Sequence, residues 1–215
     1  MGAVIYIKTD PAGFSSGDVE RAAEILLEGG VGIIPTDTVY GLAALAAHEG
    51  AVGRLLDIKN RPAGKPLPVH ISNVADADKL TFADEPDAAA LMEKFWPGPL
   101  TLVLRRRSGV HLPFQRRESL GLRIPDNPFC RRLIEKAGFL VVPSANFSGD
   151  PPPASPDEVA DGIMGLADFI VDGGTCGGGL ESTVVDLTGG LEVLREGAIS
   201  AGEIMKALGK PGGSE

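Results

Sequence analysis

Histidine, cysteine and aromatic residues are scarce in this chain of 215 residues, and each scarcity removes a class of chemistry. The three histidines, His48, His70 and His111, are too few and too scattered for a Cys/His/Asp metal cluster. Cys130 and Cys176 form no CxxC pair, and no disulfide is expected in a reducing compartment. Cys176, in a glycine run, reads as a nucleophile or as a small residue in a turn, and the turn is the simpler account. Aromatic residues make up 5% of the chain, so its core must rest on Val, Ile, Leu and Ala. Basic charge is also short: 20 Lys and Arg face 29 Asp and Glu, for a net charge of −9. That balance argues against an unaided grip on a nucleic-acid duplex. No apolar run approaches the roughly 20 residues that span a bilayer. The start, Met-Gly-Ala-Val-Ile-Tyr-Ile, lacks the basic stretch and cleavage site of a signal peptide, and Tyr6 stands where myristoylation wants Ser or Thr. A cytoplasmic protein with no membrane association is expected.

Against this acidic background three cations gather at one bend, in Asp57-Ile-Lys-Asn-Arg-Pro-Ala-Gly-Lys-Pro-Leu67. Lys59, Arg61 and Lys65 are braced there by Pro62, Gly64 and Pro66. Arginine offers a planar fork of donors and lysine a mobile point charge, so phosphate is the natural ligand. A surface turn with incidental charge is the competing account. Arg105, Arg106 and Arg107, with Arg116 and Arg117, form the other basic clusters and read as a solvated rim or a weak RNA contact, the rim being preferred.

Apolar spacing predicts strands over 3–7, 31–34, 67–71, 100–104, 120–124, 140–142, 169–172, 183–187 and 191–195. Helices are expected from Ser15 or Ser16 to Gly29, from about residue 51 to the Lys59 tract, and over 85–95. Another should run from Asp126 or Asn127, with Pro128 in its first turn, to Gly138. Ser155-Pro-Asp-Glu158 and Ser200 with Glu203 read as capping boxes. Strands and helices alternate early and strands follow one another late. An α/β fold with a twisted, open, mixed parallel/antiparallel sheet flanked by helices is expected, as one domain over 1–208 with a loose tail at 209–215.

Four polar tracts begin at or near predicted strand ends: Thr36 to Tyr40, Arg123 to Asn127, Ser144 to Asn146, and Glu181 to Thr183. Each alone could be a turn satisfying its own backbone. Together, beside the cationic bend, they favour one shared cleft. Gly173 to Gly179 could bring backbone N–H groups to a phosphate or serve as a flexible loop. It is neither a Walker A loop nor GxGxxG before a helix. Ser144 has no GxSxG elbow.

Taken together the tracts resemble the YrdC/TsaC family of threonylcarbamoyl-adenylate synthases. The resemblance runs from Pro35-Thr-Asp-Thr-Val-Tyr-Gly41 through Lys59-Asn-Arg61, Gly121-Leu-Arg-Ile-Pro125, Ser144-Ala-Asn146 and Glu181-Ser-Thr-Val-Val185 to Leu194-Arg-Glu-Gly197. It implies a basic concave face and the conversion of L-threonine, bicarbonate or CO₂, and ATP to threonylcarbamoyl-AMP and pyrophosphate. Threonylcarbamoyl-transferase partners would then modify the tRNA adenosine beside the anticodon, with at most weak or indirect tRNA contact by this chain. The resemblance implies Lys59, Arg61, Lys65, Ser119, Ser144, Asn146, Ser155 and Arg195 for ATP, with Lys59 and Arg61 catalytic. It implies Thr38, His70, Arg123 and Ser182 for threonine, Arg123 pairing with the carboxylate. Mg²⁺ would come with ATP, held by phosphates and water, with no metal ligated by the protein. Asn127 stands where the family often has histidine and is given no catalytic role. The chain resembles the short, single-domain type. The competing readings are a paralogue with another carbamoyl or adenylyl substrate and an RNA-binding module of the same fold.

Overall fold

The computed structural model describes residues 4–9, 13–60, 67–115, 117–177 and 179–210. In chain order the elements are β1 (Ile5–Lys8), α1 (Ser16–Leu27), β2 (Gly32–Ile34), β3 (Gly41–Leu45), α2 (Glu49–Ile58), β4 (Val69–His70), α3 (Val74–Leu80) and α4 (Pro86–Phe95). They continue with β5 (Leu100–Arg105), β6 (Ser119–Arg123), α5 (Pro128–Ala137), β7 (Leu140–Val141), α6 (Asp161–Met164), β8 (Phe169–Asp172), β9 (Thr183–Asp186), β10 (Glu192–Arg195) and α7 (Ala201–Ala207).

Local chemistry sets most boundaries. Ser15 and Asp18 close a capping box at the head of α1, and Ser200 and Glu203 do the same for α7. Asn127 caps α5, Pro128 occupies its first turn, and Gly138 ends it at a φ of 103° that a side chain would resist. Ser155 behaves differently from expectation. It precedes a single 3-10 turn (Pro156–Glu158) with no side-chain cap bond, because Glu158 turns back to accept from the Ala154 N–H.

The strands form one ten-stranded mixed sheet in the order β1-β8-β2-β3-β7-β4-β6-β5-β9-β10. β1/β8, β2/β8, β4/β6 and β5/β9 are parallel, and the other pairs antiparallel. The late strands do not stay together. β8 inserts between β1 and β2, whereas β9 and β10 extend the opposite edge. Two elements were not anticipated: β3, whose Gly-Leu-Ala-Ala-Leu has no β-branched residue, and α3, which Asn73 caps through the Asp76 N–H.

Side-chain alternation places two cores on opposite faces of the sheet. Ile34, Ala43, Leu140, Phe169 and Val171 pack with Val19, Ala22 and Leu26 of α1 and Phe129, Leu133 and Ile134 of α5. Ile33, Leu42, Val69, Leu102, Leu122, Ile170 and Val185 join the larger core, with residues of α2, α3, α4 and α7. At the seam of the first core the backbone of Gly32 lies under the Phe169 ring. A Cβ there would sit 2.1 Å from the ring carbon Cζ. Gly32→Ala should therefore destabilise the protein by about 1–3 kcal/mol. Gly53→Ala, on the exposed side of α2 with nothing within 4 Å, should stabilise it by about 0.5–1 kcal/mol. Urea unfolding midpoints moving in opposite directions would confirm both.

Candidate functional site

Helices α1 and α5 cover β1, β8, β2, β3 and β7 on one face of the sheet. On the same side, a cavity of about 650 Å³ lies against β4, β6, β5 and β9. Alternation decides what lines it. In β5, Leu100, Leu102 and Leu104 enter the large core while Thr101 and Val103 face the cavity. In β6, Leu120 and Leu122 are core while Ser119, Gly121 and Arg123 form the wall. The site thus runs across strand faces as well as strand ends.

One end of the cavity is built by the turn after β2. The Thr36 hydroxyl accepts from the N–H of Thr38 (3.1 Å) and Val39 (3.2 Å) and donates to the Val39 carbonyl (2.7 Å). This turn carries Asp37 and Thr38 to Arg123, which is 4% exposed. Arg123 donates from Nη2 to Asp37 Oδ1 (2.6 Å), from Nη1 to Thr38 Oγ1 (3.0 Å) and from Nε to the Gly98 carbonyl (3.1 Å). Parallel pairing of β4 with β6 sets His70 beside Arg123. Neither ring nitrogen of His70 has a hydrogen-bond partner of ordinary geometry among the described residues, although the Pro68 carbonyl faces the ring closely enough to oppose loss of its proton slightly. Burial, then the Arg123 charge, hold its pKa well below the usual 6.5. The result is a neutral imidazole in the cavity wall. Nearby the Ser182 and Thr101 hydroxyls are 2.9 Å apart. Arg195 donates from Nη2 and Nε to the Ser182 carbonyl and pairs with Glu181 at 2.6 Å. With its side chain 41% exposed, that ion pair is screened and orients more than it stabilises.

Thr38, His70, Arg123 and Ser182 all line the cavity, and so do Ser119, Ser144 and Arg195. Lys59, Asn146 and Ser155 are not on its wall, and Arg61 and Lys65 lie outside the described residues. Lys59 differs from the open cationic bend read in the sequence. It ends α2, is 2% exposed, and its ammonium donates to the carbonyls of Ser144 and Asn146 (2.7 Å to the latter) and to Asn146 Oδ1 (3.1 Å). Tyr40 supports the same loop from its other side, its carbonyl accepting from the Ala145 N–H at 2.8 Å.

Other expectations need revision. The Tyr40 hydroxyl donates to the Gly174 carbonyl and accepts from the Gly173 N–H, tying the start of the glycine run to the core. Burial pushes the Cys176 thiol up to about 11, which removes the nucleophile reading. Arg105 is exposed and Arg106 and Arg107 are half-buried, as a rim would be, and each is also anchored to its own chain. Their guanidinium groups donate to the carbonyls of Thr188, of Arg117 and Val110, and of Asp78 and Thr81 respectively. The sequence reading missed Asp37, and it missed the wall residues Thr101, Val103, Gln115 and Arg117. A signal existed for two of them: Leu100-Thr-Leu-Val-Leu104 alternates, so one face of that strand differs from the other.

The neutral His70 has a consequence for stability. Its folded-state pKa is depressed, so the unfolded chain takes up the proton first as pH falls. The stability it protects is complete above about pH 6.5 and is lost below it. His70→Gln should narrow the difference between urea midpoints measured about one unit above and one unit below that value. An unchanged difference would contradict the assignment.

Residues 24–197 match the Sua5/YciO/YrdC family model, described as Telomere recombination. The chain is 38% identical over 205 residues to the threonylcarbamoyl-AMP synthase of Bacillus subtilis, covering 94% of this chain and 59% of that protein. Among solved structures it superposes on P. abyssi Sua5 complexed with L-threonine with a TM-score of 0.88 and 35% identity, covering 97% of this chain and 62% of that one. E. coli YciO gives a TM-score of 0.82 at 28% identity, covering 95% of this chain and 100% of that one. The chain therefore spans about three-fifths of the length of the first two proteins. With the match extending over most of the sequence and the whole sheet, the chain belongs to the Sua5/YciO/YrdC family.

Proposed function

We propose that this chain is a threonylcarbamoyl-AMP synthase, acting in the cytoplasm on L-threonine, bicarbonate or CO₂, and ATP. One observation carries the reading. Lys59 bonds to Ser144 and Asn146, 85 and 87 positions later, at the edge of a cavity whose far wall holds Arg123, Thr38, His70 and Ser182. Through Ser144 the loop that Lys59 holds meets the wall carrying the amino-acid residues, in a cavity of a size suited to small-molecule ligands. That P. abyssi Sua5 crystallised with L-threonine supports the choice of amino acid. YciO keeps the same fold, but the Lys-x-Arg and Ser-x-Asn tracts of this chain favour the synthase. The acidity of the chain weighs against the RNA-binding module.

In this reading Arg123 and Thr38 receive the threonine carboxylate, with His70 and Ser182 flanking it. The deprotonated amine adds to CO₂ and loses its second proton, giving a carbamate. A carbamate oxygen then forms a bond to the α-phosphorus as the bond to the β-phosphate oxygen breaks, and pyrophosphate leaves. The protein forms no covalent bond. It aligns two anions and stabilises the transferring phosphoryl group. Ser119, Ser144, Ser155, Asn146 and Arg195, with Arg61 and Lys65, hold the nucleotide, and Lys59 fixes the Ser144–Asn146 loop beneath it. Among the described residues no three His, Cys, Asp or Glu side chains converge on a metal site. In this reading Mg²⁺ comes with the triphosphate, held by its phosphates and by water. A threonylcarbamoyl-transferase would consume the product on tRNA.

Two experiments test this. Pyrophosphate release from ATP should require both L-threonine and bicarbonate, and release indifferent to threonine would reject the function. Lys59→Ala and Asn146→Ala should each weaken ATP binding by about tenfold, since each leaves a buried charge-assisted hydrogen bond incomplete. The double variant should lose little more than Lys59→Ala alone, because the Asn146 side-chain contact is one of those that Lys59 makes. Additive losses in calorimetric titration would separate the two residues.

A further inference from the structure

The arginine that faces the amino acid is already neutralised before any ligand arrives. Asp37 Oδ1 lies 2.6 Å from Arg123 Nη2, with both side chains nearly buried at 11% and 5% exposure. The second oxygen, Oδ2, is buried with no hydrogen-bond partner among the described residues. Asp37 does not itself line the cavity, whereas Arg123 and its other partner, Thr38, do. Three contacts thus fix the guanidinium from the side and rear: Asp37, Thr38 and the Gly98 carbonyl. Arginine has five N–H donors, so two remain for a carboxylate in front. The neighbouring His70, buried and neutral, adds no charge.

We propose that Asp37 is the positioning residue for Arg123, and that the pair makes this end of the cavity select a zwitterionic amino acid over a simple carboxylate. The inference rests on the amino-acid site proposed above. A lone buried arginine would attract any small anion, and its desolvation would be repaid by whichever one entered. A pre-formed, formally neutral arginine–aspartate pair offers no net charge to an anion. It still offers directed donors to a carboxylate, and the aspartate charge behind them lessens the repulsion that a lone arginine would exert on a nearby ammonium. The substrate class is therefore an α-amino acid carrying its ammonium group, admitted before that nitrogen is carboxylated.

Asp37→Asn preserves shape and one acceptor while removing the charge, and Asp37→Glu restores the charge on a longer arm. Binding of L-threonine and of its analogue lacking the amino group, 2,3-dihydroxybutyrate, should be measured by calorimetry, together with the KM and kcat of pyrophosphate release. The wild type should prefer threonine. Asp37→Asn should weaken threonine binding roughly tenfold while the deamino analogue binds as well or better. KM for threonine should rise more than kcat falls, and Asp37→Glu should recover part of the preference. Equal weakening of both ligands, or no change in either, would overturn the proposal. If the wild type binds threonine but releases no pyrophosphate, the synthase reading fails while the binding ratio still decides this one. A wild type that binds neither ligand overturns both.

Discussion

A sheet of ten strands is too broad for two helices to cover, and the site follows from that mismatch. Strands lie about 4.8 Å apart and a helix with its side chains is about 10 Å across, so two helices cover four or five strands. On one face α1 and α5 cover β1, β8, β2, β3 and β7. The same face of β4, β6, β5 and β9 receives no helix from the described residues and becomes the wall of the cavity. The opposite face is fully supported by the larger core, which keeps the bare surface rigid. Strand alternation then sorts leucine inward and Thr101, Ser119, Arg123 and Ser182 outward, so the geometry of the pleat produces a polar wall without any loop having to fold over it.

The second organising element is charge held in place by its own chain. This is an acidic protein, yet Lys59 and Arg123 are almost completely buried. Each is satisfied in a different way. Lys59 is surrounded by carbonyl and amide oxygens of the Ser144–Asn146 loop, and Arg123 by a carboxylate, a hydroxyl and a carbonyl. Fixed donors of this sort need little reorganisation when a ligand's charge develops. Arg123 also acts on its neighbour: its charge reinforces the effect of burial in keeping His70 neutral.

Local signals in the sequence located several helix ends, though they missed α3 and misled at Ser155. Ser15 with Asp18, Asn127 with Pro128 and Gly138, and Ser200 with Glu203 mark helix ends because capping involves residues three or four apart. β3 was not legible, since its alanines gain strand conformation only from the neighbours β2 and β7. Ser155 carried the pattern of a capping box, but Glu158 bonds the Ala154 N–H instead of that of Ser155. Of the residues expected at the site, Thr38, His70, Arg123, Ser144 and Ser182 line the cavity. Asp37 escaped notice between two threonines because its importance depends on Arg123, 86 positions away. A buried arginine requires a counter-charge, and nothing local identifies which carboxylate supplies it.

The insertion of β8 between β1 and β2 has a consequence for synthesis of the chain. Phe169 pairs in register with both Ile5 and Gly32, and Asp168 receives the N–H of Val31 from 137 positions earlier. As the chain leaves the ribosome, β2 can pair with β3 at once, but β1 and the other edge of β2 have no partner until β8 emerges. Until then β1 and β2 present unpaired edges, and the hollow over Gly32 that later takes the Phe169 ring stays open. The first strand thus joins the sheet only after most of the protein has been made. Its nascent stage is the one at which chaperone binding would matter most.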